Sequence, residues 1–204
     1  MDKLPAILKK YPQLKGLSVT IPYKEQIIPF LDDISSDAKA IGAVNCIKIK
    51  NQKLIGYNTD IVGFENSFKP LLKPFHQNAL ILGSGGASKA VKFVLKKLNI
   101  PFISVARNPS NTDEIAYQSL THHLIEEHQI IINCTPVGTF PSVNEFPQIP
   151  YESLTSNHFL FDLIYNPSET IFLKNGKEKG ALIKNGLEML ELQAEKAWEI
   201  WTSQ

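Results

Sequence analysis

The sequence predicts an α/β fold, with an open parallel sheet flanked by helices at least from residue 78 onward. Strand-like and helix-like segments alternate along the chain. Several strand-like runs, such as "NALILG", are continuously apolar, as is typical of strands buried on both faces. A glycine-rich turn, "GSGGAS", joins this run to an amphipathic helix. The 204 residues suffice for one large domain or two small ones.

The first part of the chain predicts a strand, a helix, a hairpin and a second helix. "GLSVTI" is strand-like, and "KEQIIPFLDDI" has helical spacing interrupted by Pro29. "AVNCIKIKNQKLIGYN" contains two alternating runs around Asn51-Gln52, which is typical of a hairpin. "TDIVGFENSFKPLL" has helical spacing and begins with Thr59 as a candidate cap.

After a boundary at "KPFHQ", the second part predicts four strands and two helices. The strands are "NALILG", "PFISVA", "IIINCT" and "HFLFDLIY". "ASKAVKFVLKKL" predicts an amphipathic helix with Val91, Val94, Leu95 and Leu98 on one side. "NGLEMLELQAEKAWEIW" predicts a long helix with a mainly apolar stripe.

Composition argues against several classes of partner. The net charge is +1, so no bulk field points to nucleic acid or to an anionic membrane. No apolar run approaches the length of a membrane span, and the first residues do not resemble a signal peptide. Cys46 and Cys134 form no CxxC pair, so we expect reduced thiols in a cytoplasmic protein. Three histidines lack the spacing of helical metal ligands, so we expect a solvated helix face and no metal site: His122, His123 and His128.

The glycine-rich turn predicts a nucleotide site. Gly83, Gly85 and Gly86 lie between a predicted strand and a predicted helix, which is the context of a dinucleotide fingerprint. Gly83 permits the tight turn, and Gly85 lets the backbone approach a pyrophosphate, whose charge the helix N-terminus favours. Ser88 stands where a third glycine often occurs, so an ordinary strand-to-helix turn is the alternative.

The next predicted strand favours NADP over NAD. An NAD site usually has Asp or Glu at the end of this strand, where it binds the ribose 2′-hydroxyl. "FISVARNPSN" offers Arg107 and no acid. A guanidinium can bind a 2′-phosphate through two hydrogen bonds, whereas a carboxylate would repel it. The alternative is an ordinary surface arginine.

The stretch "SVTIPYKE" places Lys24 in the first turn of a helix that is predicted to begin at Pro22. Cations prefer the other end of a helix. This position would disfavour the protonated amine, which is a property of lysines that donate protons in catalysis.

Eight motifs, in order, resemble those of the shikimate dehydrogenase family: "SVTIPYKE", "GAVNC", "GYNTD", "ILGSGGAS", "VARNPSN", "NCTPVG", "FDLIYNP" and "GLEMLELQA". The resemblance implies a two-domain α/β fold with the active site between the domains. Residues 63–186 would form a Rossmann-type NADP-binding domain, and residues 1–62 and 187–204 a smaller catalytic domain. The implied reaction is the reversible, NADP-dependent reduction of 3-dehydroshikimate to shikimate in chorismate and aromatic amino-acid biosynthesis.

The resemblance also assigns site residues by position. Lys24 and Asp60 would be the catalytic pair, for which the alternative is a surface ion pair. The substrate-binding residues would be Thr20, Asn45, Asn58, Tyr165 and Gln193. The cofactor's phosphates and ribose would contact Gly83, Gly85, Gly86, Ala87, Ser88, Arg107 and Asn108. Thr135 and Gly138 would lie near its nicotinamide end, and Gly186 would also bind the cofactor. Turn, cap or solvated positions are the alternatives for the polar residues.

Three features depart from the family pattern. The chain begins at a segment that resembles the one just before the family's second strand, so the first strand and a substrate-binding serine pair are missing from the match. A shortened product, a partner chain that fills the gap, or a divergent relative would each explain this, and we expect weakened or absent turnover from these 204 residues. Asn111 stands where a further basic residue is common, so we expect a modest preference for NADP. Leu163 after Asp162 replaces a methionine and should change only packing against the nicotinamide.

Alternatives to this function are a quinate/shikimate dehydrogenase that uses both NAD and NADP, and a non-catalytic dinucleotide-binding relative. Another amino-acid or folate dehydrogenase of the same two-domain layout fits less well, because such enzymes do not need "VTIPYK" followed by "NTD". The expected partners are a small-molecule substrate and NADP(H), in a monomer or a homodimer.

Overall fold

Two β-sheets organise the chain in a computed structural model that describes residues 4–110 and 113–203. The smaller sheet has four strands: β1 (Gly16–Ser18), β2 (Asp33–Ile34), β3 (Cys46–Lys50) and β4 (Lys53–Tyr57). Their spatial order is β1-β3-β4-β2, with β3 antiparallel to both of its neighbours and β2 parallel to β4. The proposed role of Asn111 lies outside the described residues.

The predicted hairpin around Asn51-Gln52 is confirmed. β3 pairs with β4 so that Lys50 faces Lys53. The two turn residues both have positive φ angles, 51° and 63°, as a tight two-residue hairpin requires. This hairpin brings the ends of β3 and β4 together, with Asn45 preceding β3 and Asn58 following β4.

The larger sheet is entirely parallel and confirms the predicted α/β class. Its six strands, in spatial order, are β10 (Leu182–Lys184), β9 (Phe159–Asp162), β8 (Ile130–Asn133), β5 (Ala79–Leu82), β6 (Phe102–Ala106) and β7 (Glu114–Ala116). The chain runs from β5 to β6 on one side and later returns to β8 on the other. The carboxyl ends of β5 and β8 therefore flank a switch in connection direction, where doubly wound sheets bind ligands.

The helices are α1 (Leu4–Lys10), α2 (Ser36–Ile41), α3 (Asp60–Phe68), α4 (Gly86–Lys97), α5 (His122–Glu127), α6 (Ile171–Glu178) and α7 (Leu187–Thr202). The predictions of α3, α4 and α7 are confirmed. Val91, Val94 and Leu95 of α4 are fully buried, as the apolar stripe predicted. In α5, His122 and His123 are exposed as expected, but His128 at its end is buried, with Nδ1 2.8 Å from the Leu124 carbonyl oxygen.

The prediction of a helix that begins at Pro22 is wrong. Residues 21–27 form consecutive turns, followed by a 3₁₀ turn over Ile28–Phe30. Ile27 N donates to Tyr23 O, but on either side the bonds close shorter loops, such as Tyr23 N to Thr20 O. Pro29, inside the predicted helix, lacks the N–H that an α-helical ladder needs. The helix-dipole explanation for Lys24 therefore has no structural basis.

Helix α3 is fixed to the larger sheet by aromatic side chains. Phe64 and Phe68 stack with ring centroids 4.8 Å apart. Phe68 stacks on Phe159 of β9 at 5.5 Å, and Phe64 meets Phe161 edge-on at 5.2 Å. Because all four rings are fully buried, they fix the position of α3 and hence of Asp60 at its first residue.

Helix α7 spans both sheets. At its start, Gly186 N donates to Ile164 O, just after β9. At its end, Lys48 Nζ of β3 donates to the carbonyl oxygen and Oγ of Ser203, both at 2.7 Å. The Trp201 indole N–H also donates to Ile47 O at 3.0 Å. Among the described residues, no helix is long and apolar enough to cross a membrane.

Candidate active site

Lys24 and Asp60 form a close, partly buried ion pair. Lys24 Nζ lies 2.7 Å from Asp60 Oδ2, and the two side chains are only 16% and 12% exposed. Asp60 is the first residue of α3, where the helix dipole favours a carboxylate. The two residues lie 36 positions apart in the sequence and belong to different structural elements, so this is a tertiary contact.

Asn45 holds the other oxygen of Asp60 and is itself bonded to Thr59. Asn45 Nδ2 donates to Asp60 Oδ1 at 2.9 Å and to Thr59 Oγ1 at 3.0 Å. In return, Thr59 N donates to Asn45 Oδ1 at 2.7 Å. Thr59 occupies the N-cap position of α3 as predicted, but its hydroxyl makes no cap hydrogen bond and faces Asn45 instead.

Gln193 joins this group from α7. Its Oε1 lies 3.4 Å from Thr59 Oγ1 and 3.5 Å from Asn45 Nδ2. The close approach depends on Gly63, since an added Cβ there would lie 3.0 Å from Gln193 Cβ and would collide with the Met189 backbone. We call Lys24, Asp60, Asn45, Thr59 and Gln193 the catalytic network, after the role that the sequence analysis predicts for Lys24 and Asp60. The sequence predicted all of its members except Thr59.

Asn58 has an unsatisfied buried acceptor beside this network. Its Nδ2 donates to Ala43 O at 3.0 Å. Its Oδ1 is buried and, within the described part of the chain, has no hydrogen-bond partner. A buried acceptor without a donor costs roughly 1–3 kcal/mol, so a donor from a ligand hydroxyl or a water would be favourable here.

Thr20 and Tyr165 are exposed side chains outside the hydrogen-bonded network. Thr20 lines an open groove of about 300 Å³ with Tyr23 and apolar residues of α1 and β1. Tyr165 is 49% exposed and follows β9. Their contacts with substrate stay predictions.

The glycine loop, residues 83–86, presents backbone to open space. Gly83 has φ of +101°, and an added Cβ there would lie 2.8 Å from Thr135 Cγ2. By contrast, a Cβ at Gly85 or Gly86 would meet no atom within 4 Å. Gly85 caps α4 with extended backbone. The first N–H groups of α4 are therefore accessible to a pyrophosphate, and the loop fits the diphosphate of a dinucleotide.

Ser88 and Arg107 differ in exposure, since Ser88 is buried and Arg107 is exposed. Ser88 is 1% exposed and donates its hydroxyl to Gly85 O at 2.7 Å, so it closes the turn. Arg107 and Asn108 are exposed directly after β6. Arg107 is the only arginine in the sequence. Its exposed guanidinium fits an anionic group such as a 2′-phosphate, whereas contacts of Ser88, Ala87 and Asn108 with a cofactor stay predictions.

The predicted nicotinamide end consists of tightly held loops. Thr135 donates N–H and hydroxyl to Asn133 Oδ1, at 3.0 and 2.6 Å. Gly138 has φ of +99° and packs near Thr170. Gly186 lies against the backbone of Leu163, where a Cβ would collide. These positions need glycine for close packing, and their contact with a nicotinamide stays a prediction.

An ion pair that the sequence did not predict connects the two halves of the site. Lys89 Nζ in the first turn of α4 lies 2.8 Å from Glu25 Oε1. Glu25 follows Lys24 directly, and Lys89 lies three residues after Gly86. The pair therefore brings the lysine segment next to the glycine loop, although its side chains are 34% and 54% exposed and the bond contributes little energy.

Comparison with known proteins agrees with this arrangement. Residues 1–47 match the family described as shikimate dehydrogenase substrate binding domain. The chain is 42% identical over 201 residues to a shikimate dehydrogenase (NADP(+)) from Methanococcus aeolicus, covering 92% of this chain and 72% of that protein.

Solved structures give the same result. The chain resembles the shikimate 5-dehydrogenase of Thermus thermophilus in complex with NADP(H) and shikimate, with a TM-score of 0.85, 32% identity and coverage of 99% and 78% of the two chains. It also resembles the quinate dehydrogenase of Corynebacterium glutamicum in complex with NAD, with a TM-score of 0.85, 26% identity and coverage of 98% and 77%. Sequence similarity of this extent, together with the same fold, shows that the chain belongs to the shikimate dehydrogenase family.

Proposed function

We propose that this chain is an NADP-dependent shikimate dehydrogenase, which reduces 3-dehydroshikimate to shikimate in chorismate biosynthesis. The observation that carries the proposal is the partly buried Lys24–Asp60 pair at 2.7 Å, connected through Glu25 and Lys89 to the glycine loop. The relatives named above support both the substrate and the cofactor.

The chemistry requires a hydride at the carbonyl carbon and a proton at the carbonyl oxygen. NADPH, when bound, supplies the hydride. Lys24 Nζ donates the proton to the developing alkoxide and is then reprotonated from water. Asp60 accepts a hydrogen bond from the ammonium and keeps it in one orientation. In the reverse direction, the Lys24 amine removes the alcohol proton.

The remaining polar groups fit a ring with several hydroxyls. Asn45, Thr59 and Gln193 carry donors and acceptors beside Asp60, and the unpaired Asn58 Oδ1 can accept from a hydroxyl. In the proposal, Thr20 and Tyr165 contact the substrate from the open side. A site that places several polar groups around one ligand discriminates by hydrogen bonding.

The proposal extends to the domain division and to the cellular setting. Residues 63–186 hold the cofactor, while residues 1–62 and 187–204 hold the substrate. The free thiols Cys46 and Cys134 support a cytoplasmic location. Monomer and homodimer are both compatible with the site as described.

A second candidate is a quinate/shikimate dehydrogenase with mixed cofactor use. Arg107 is the one charged side chain in residues 107–110, so a 2′-phosphate would depend on a single guanidinium. The resemblance to an NAD-bound quinate dehydrogenase also supports this candidate.

The deciding experiment compares the wild type with Lys24→Ala in oxidation of shikimate and of quinate, with NADP⁺ and with NAD⁺. We expect turnover of shikimate with NADP⁺, and a loss of about 10²–10⁴-fold in kcat for Lys24→Ala. Calorimetric affinity for NADP⁺ should be unchanged in the variant. Lys53→Ala, an exposed lysine in the hairpin, is the matched control.

Several outcomes would contradict the proposal. Unchanged turnover of Lys24→Ala would remove this lysine from the mechanism. Faster turnover of quinate, or equal use of NAD⁺, would favour the second candidate. Binding of NADP⁺ by the wild type without turnover of either substrate would indicate a non-catalytic dinucleotide-binding relative.

A further inference from the structure

Asp162, at the carboxyl end of β9, carries a fully buried carboxylate with three hydrogen-bond donors. Asn133 Nδ2 and Ile164 N both donate to its Oδ1 at 3.0 Å. Thr170 Oγ1 donates to its Oδ2 at 2.6 Å. The carboxylate is 0% exposed, so it cannot touch substrate, and it acts only through these neighbours.

One set of contacts leads from Asp162 to the glycine loop. Asn133 Oδ1 accepts from the N–H and the hydroxyl of Thr135, and Thr135 Oγ1 accepts from Val137 N at 3.2 Å. Thr135 Cγ2 in turn lies directly over Gly83, because an added Cβ there would come within 2.8 Å of it. The orientation of Asn133, which Asp162 fixes, therefore determines where the segment after β8 lies.

A second set of contacts leads from Asp162 to the segment after β9. Ile164 N is held by the carboxylate, and Ile164 O accepts from Gly186 N at the start of α7. Thr170, which donates to the carboxylate, also caps α6 by accepting from Leu173 N at 3.3 Å. A single side chain thus joins the ends of β8 and β9 to the starts of α6 and α7.

We propose that Asp162 is a positioning residue of the dehydrogenase, which aligns the two segments that hold the nicotinamide ring, residues 134–138 and 163–166. The inference rests on the proposed function, since it assigns these segments to the nicotinamide. Alignment of the ring is important because a misplacement of about 1 Å can lower a rate by about 10²-fold.

The electrostatics of the site fit a functional rather than a stabilising role. Burial raises the pKa of Asp162 to about 6, although its three hydrogen bonds lower it in part. The titratable groups that face it from other segments are Cys134 and Tyr151, whose pKa values are raised by burial and, secondarily, by the charge of Asp162. Because the folded pKa exceeds the unfolded value of 3.8, the stability that it contributes is present below about pH 4 and is lost as pH rises through 6. At neutral pH the fold therefore holds an ionised carboxylate at a cost in stability.

The test uses Asp162→Asn, which keeps the shape but replaces the charged acceptor of Asn133 and Ile164 by a neutral amide, so that both hydrogen bonds are weakened. Asp37→Asn is the matched control, because it makes the same substitution at an exposed position on α2 outside this cluster. Calorimetry would give the affinities of each protein for NADP⁺ and for 2′-phospho-ADP-ribose, which lacks the nicotinamide. The kcat for shikimate oxidation and the melting temperature at pH 8 would be measured in parallel.

We expect Asp162→Asn to lower kcat by about tenfold and to weaken NADP⁺ but not 2′-phospho-ADP-ribose. Its melting temperature should be equal to or above that of the wild type. In the wild type, the ratio of the affinity for NADP⁺ to the affinity for 2′-phospho-ADP-ribose should decrease when the pH is lowered below about 6. In the variant this ratio should stay constant. Both ligands carry the 2′-phosphate, so its own titration cancels in the ratio. Asp37→Asn should behave as the wild type throughout.

Two results would overturn the inference. One is normal kcat and normal NADP⁺ affinity in Asp162→Asn. The other is an equal loss of affinity for both nucleotides together with a lower melting temperature, which would make Asp162 a determinant of folding alone. If the wild type binds neither nucleotide, the proposed function itself fails, and this inference fails with it.

Discussion

The catalytic network and the glycine loop are built in different ways. The network consists of side chains that are held by one another, with Lys24, Asp60 and Asn45 connected by bonds of 2.7 and 2.9 Å. The glycine loop consists of backbone, and a Cβ at Gly85 or Gly86 would enter empty space. The catalytic network thus depends on the functional groups of its side chains, whereas the glycine loop depends on the absence of side-chain atoms. Substitutions should therefore impair the two regions through different kinetic constants.

Among the variants that distinguish the two regions, we expect Asp60→Asn to have the largest effect. An amide nitrogen would then compete for the position 2.7 Å from Lys24 Nζ, where two donors would face each other. We expect kcat to fall by about 10²-fold or more, with unchanged affinity for NADP⁺. Steady-state kinetics and calorimetry measure the two quantities. Asp37→Asn on α2 is the control, and a loss of NADP⁺ affinity in Asp60→Asn would contradict the separation.

Two alanine substitutions in the glycine loop distinguish effects on stability from effects on NADP⁺ binding. Gly83→Ala adds a Cβ at a φ of +101° and against Thr135, so it should lower the free energy of unfolding by about 1–3 kcal/mol. Gly85 has a φ of −73°, and an added Cβ there would meet open space, so Gly85→Ala should leave the stability of the protein unchanged. Both should weaken NADP⁺ binding, which urea unfolding and calorimetry can separate from stability. Normal NADP⁺ affinity in Gly85→Ala would show that the pyrophosphate does not approach this loop.

Arg107→Gln tests the cofactor side without touching the backbone. Loss of a charged hydrogen-bond partner costs roughly 1.5–3 kcal/mol, so NADP⁺ affinity should fall by about 10–100-fold. Affinity for NAD⁺ should stay within about twofold of the wild type, because NAD⁺ has no 2′-phosphate. Equal weakening of both nucleotides would place Arg107 elsewhere in the site.

The smallest effect concerns the contact between the two regions. Glu25→Lys and Lys89→Glu each put like charges at an exposed pair, which changes free energies by roughly 0.2–1 kcal/mol. We expect each single variant to raise KM for NADP⁺ by about two- to fivefold at low salt. The double variant should restore the wild-type KM. Failure of this restoration would mean that Glu25 and Lys89 act independently.

The sequence predicted the elements with a strong repeating signal and missed those without one. Helices α4 and α7 have 12 and 16 residues, which give several turns of apolar periodicity. Helices α1 and α2 have seven and six residues, too few to show a period. The helix at Lys24 was predicted from spacing and a favourable Pro22, but Pro29 and the tertiary pairing of Lys24 determined a series of turns instead.

The catalytic network shows a similar limit. The Lys24–Asp60 contact crosses 36 residues, so it was predicted from the resemblance to a family and not from spacing. Thr59 was interpreted as a cap because helix starts favour threonine, whereas the competing acceptor on Asn45 lies 14 residues away. The Asn133–Asp162 bond spans 29 residues, and no local pattern marks it.

The anchorage of α7 at both ends has a mechanical consequence. Its 16 residues form a rod of about 24 Å, fastened to the larger sheet through Gly186 and to the smaller sheet through Lys48 and Trp201. A helix that is anchored to both sheets resists displacement of one sheet along the other but allows rotation between them. We therefore expect any relative movement of the two sheets to be a rotation about the contact between α3 and α7, where Gly63 lies against Met189 and Gln193.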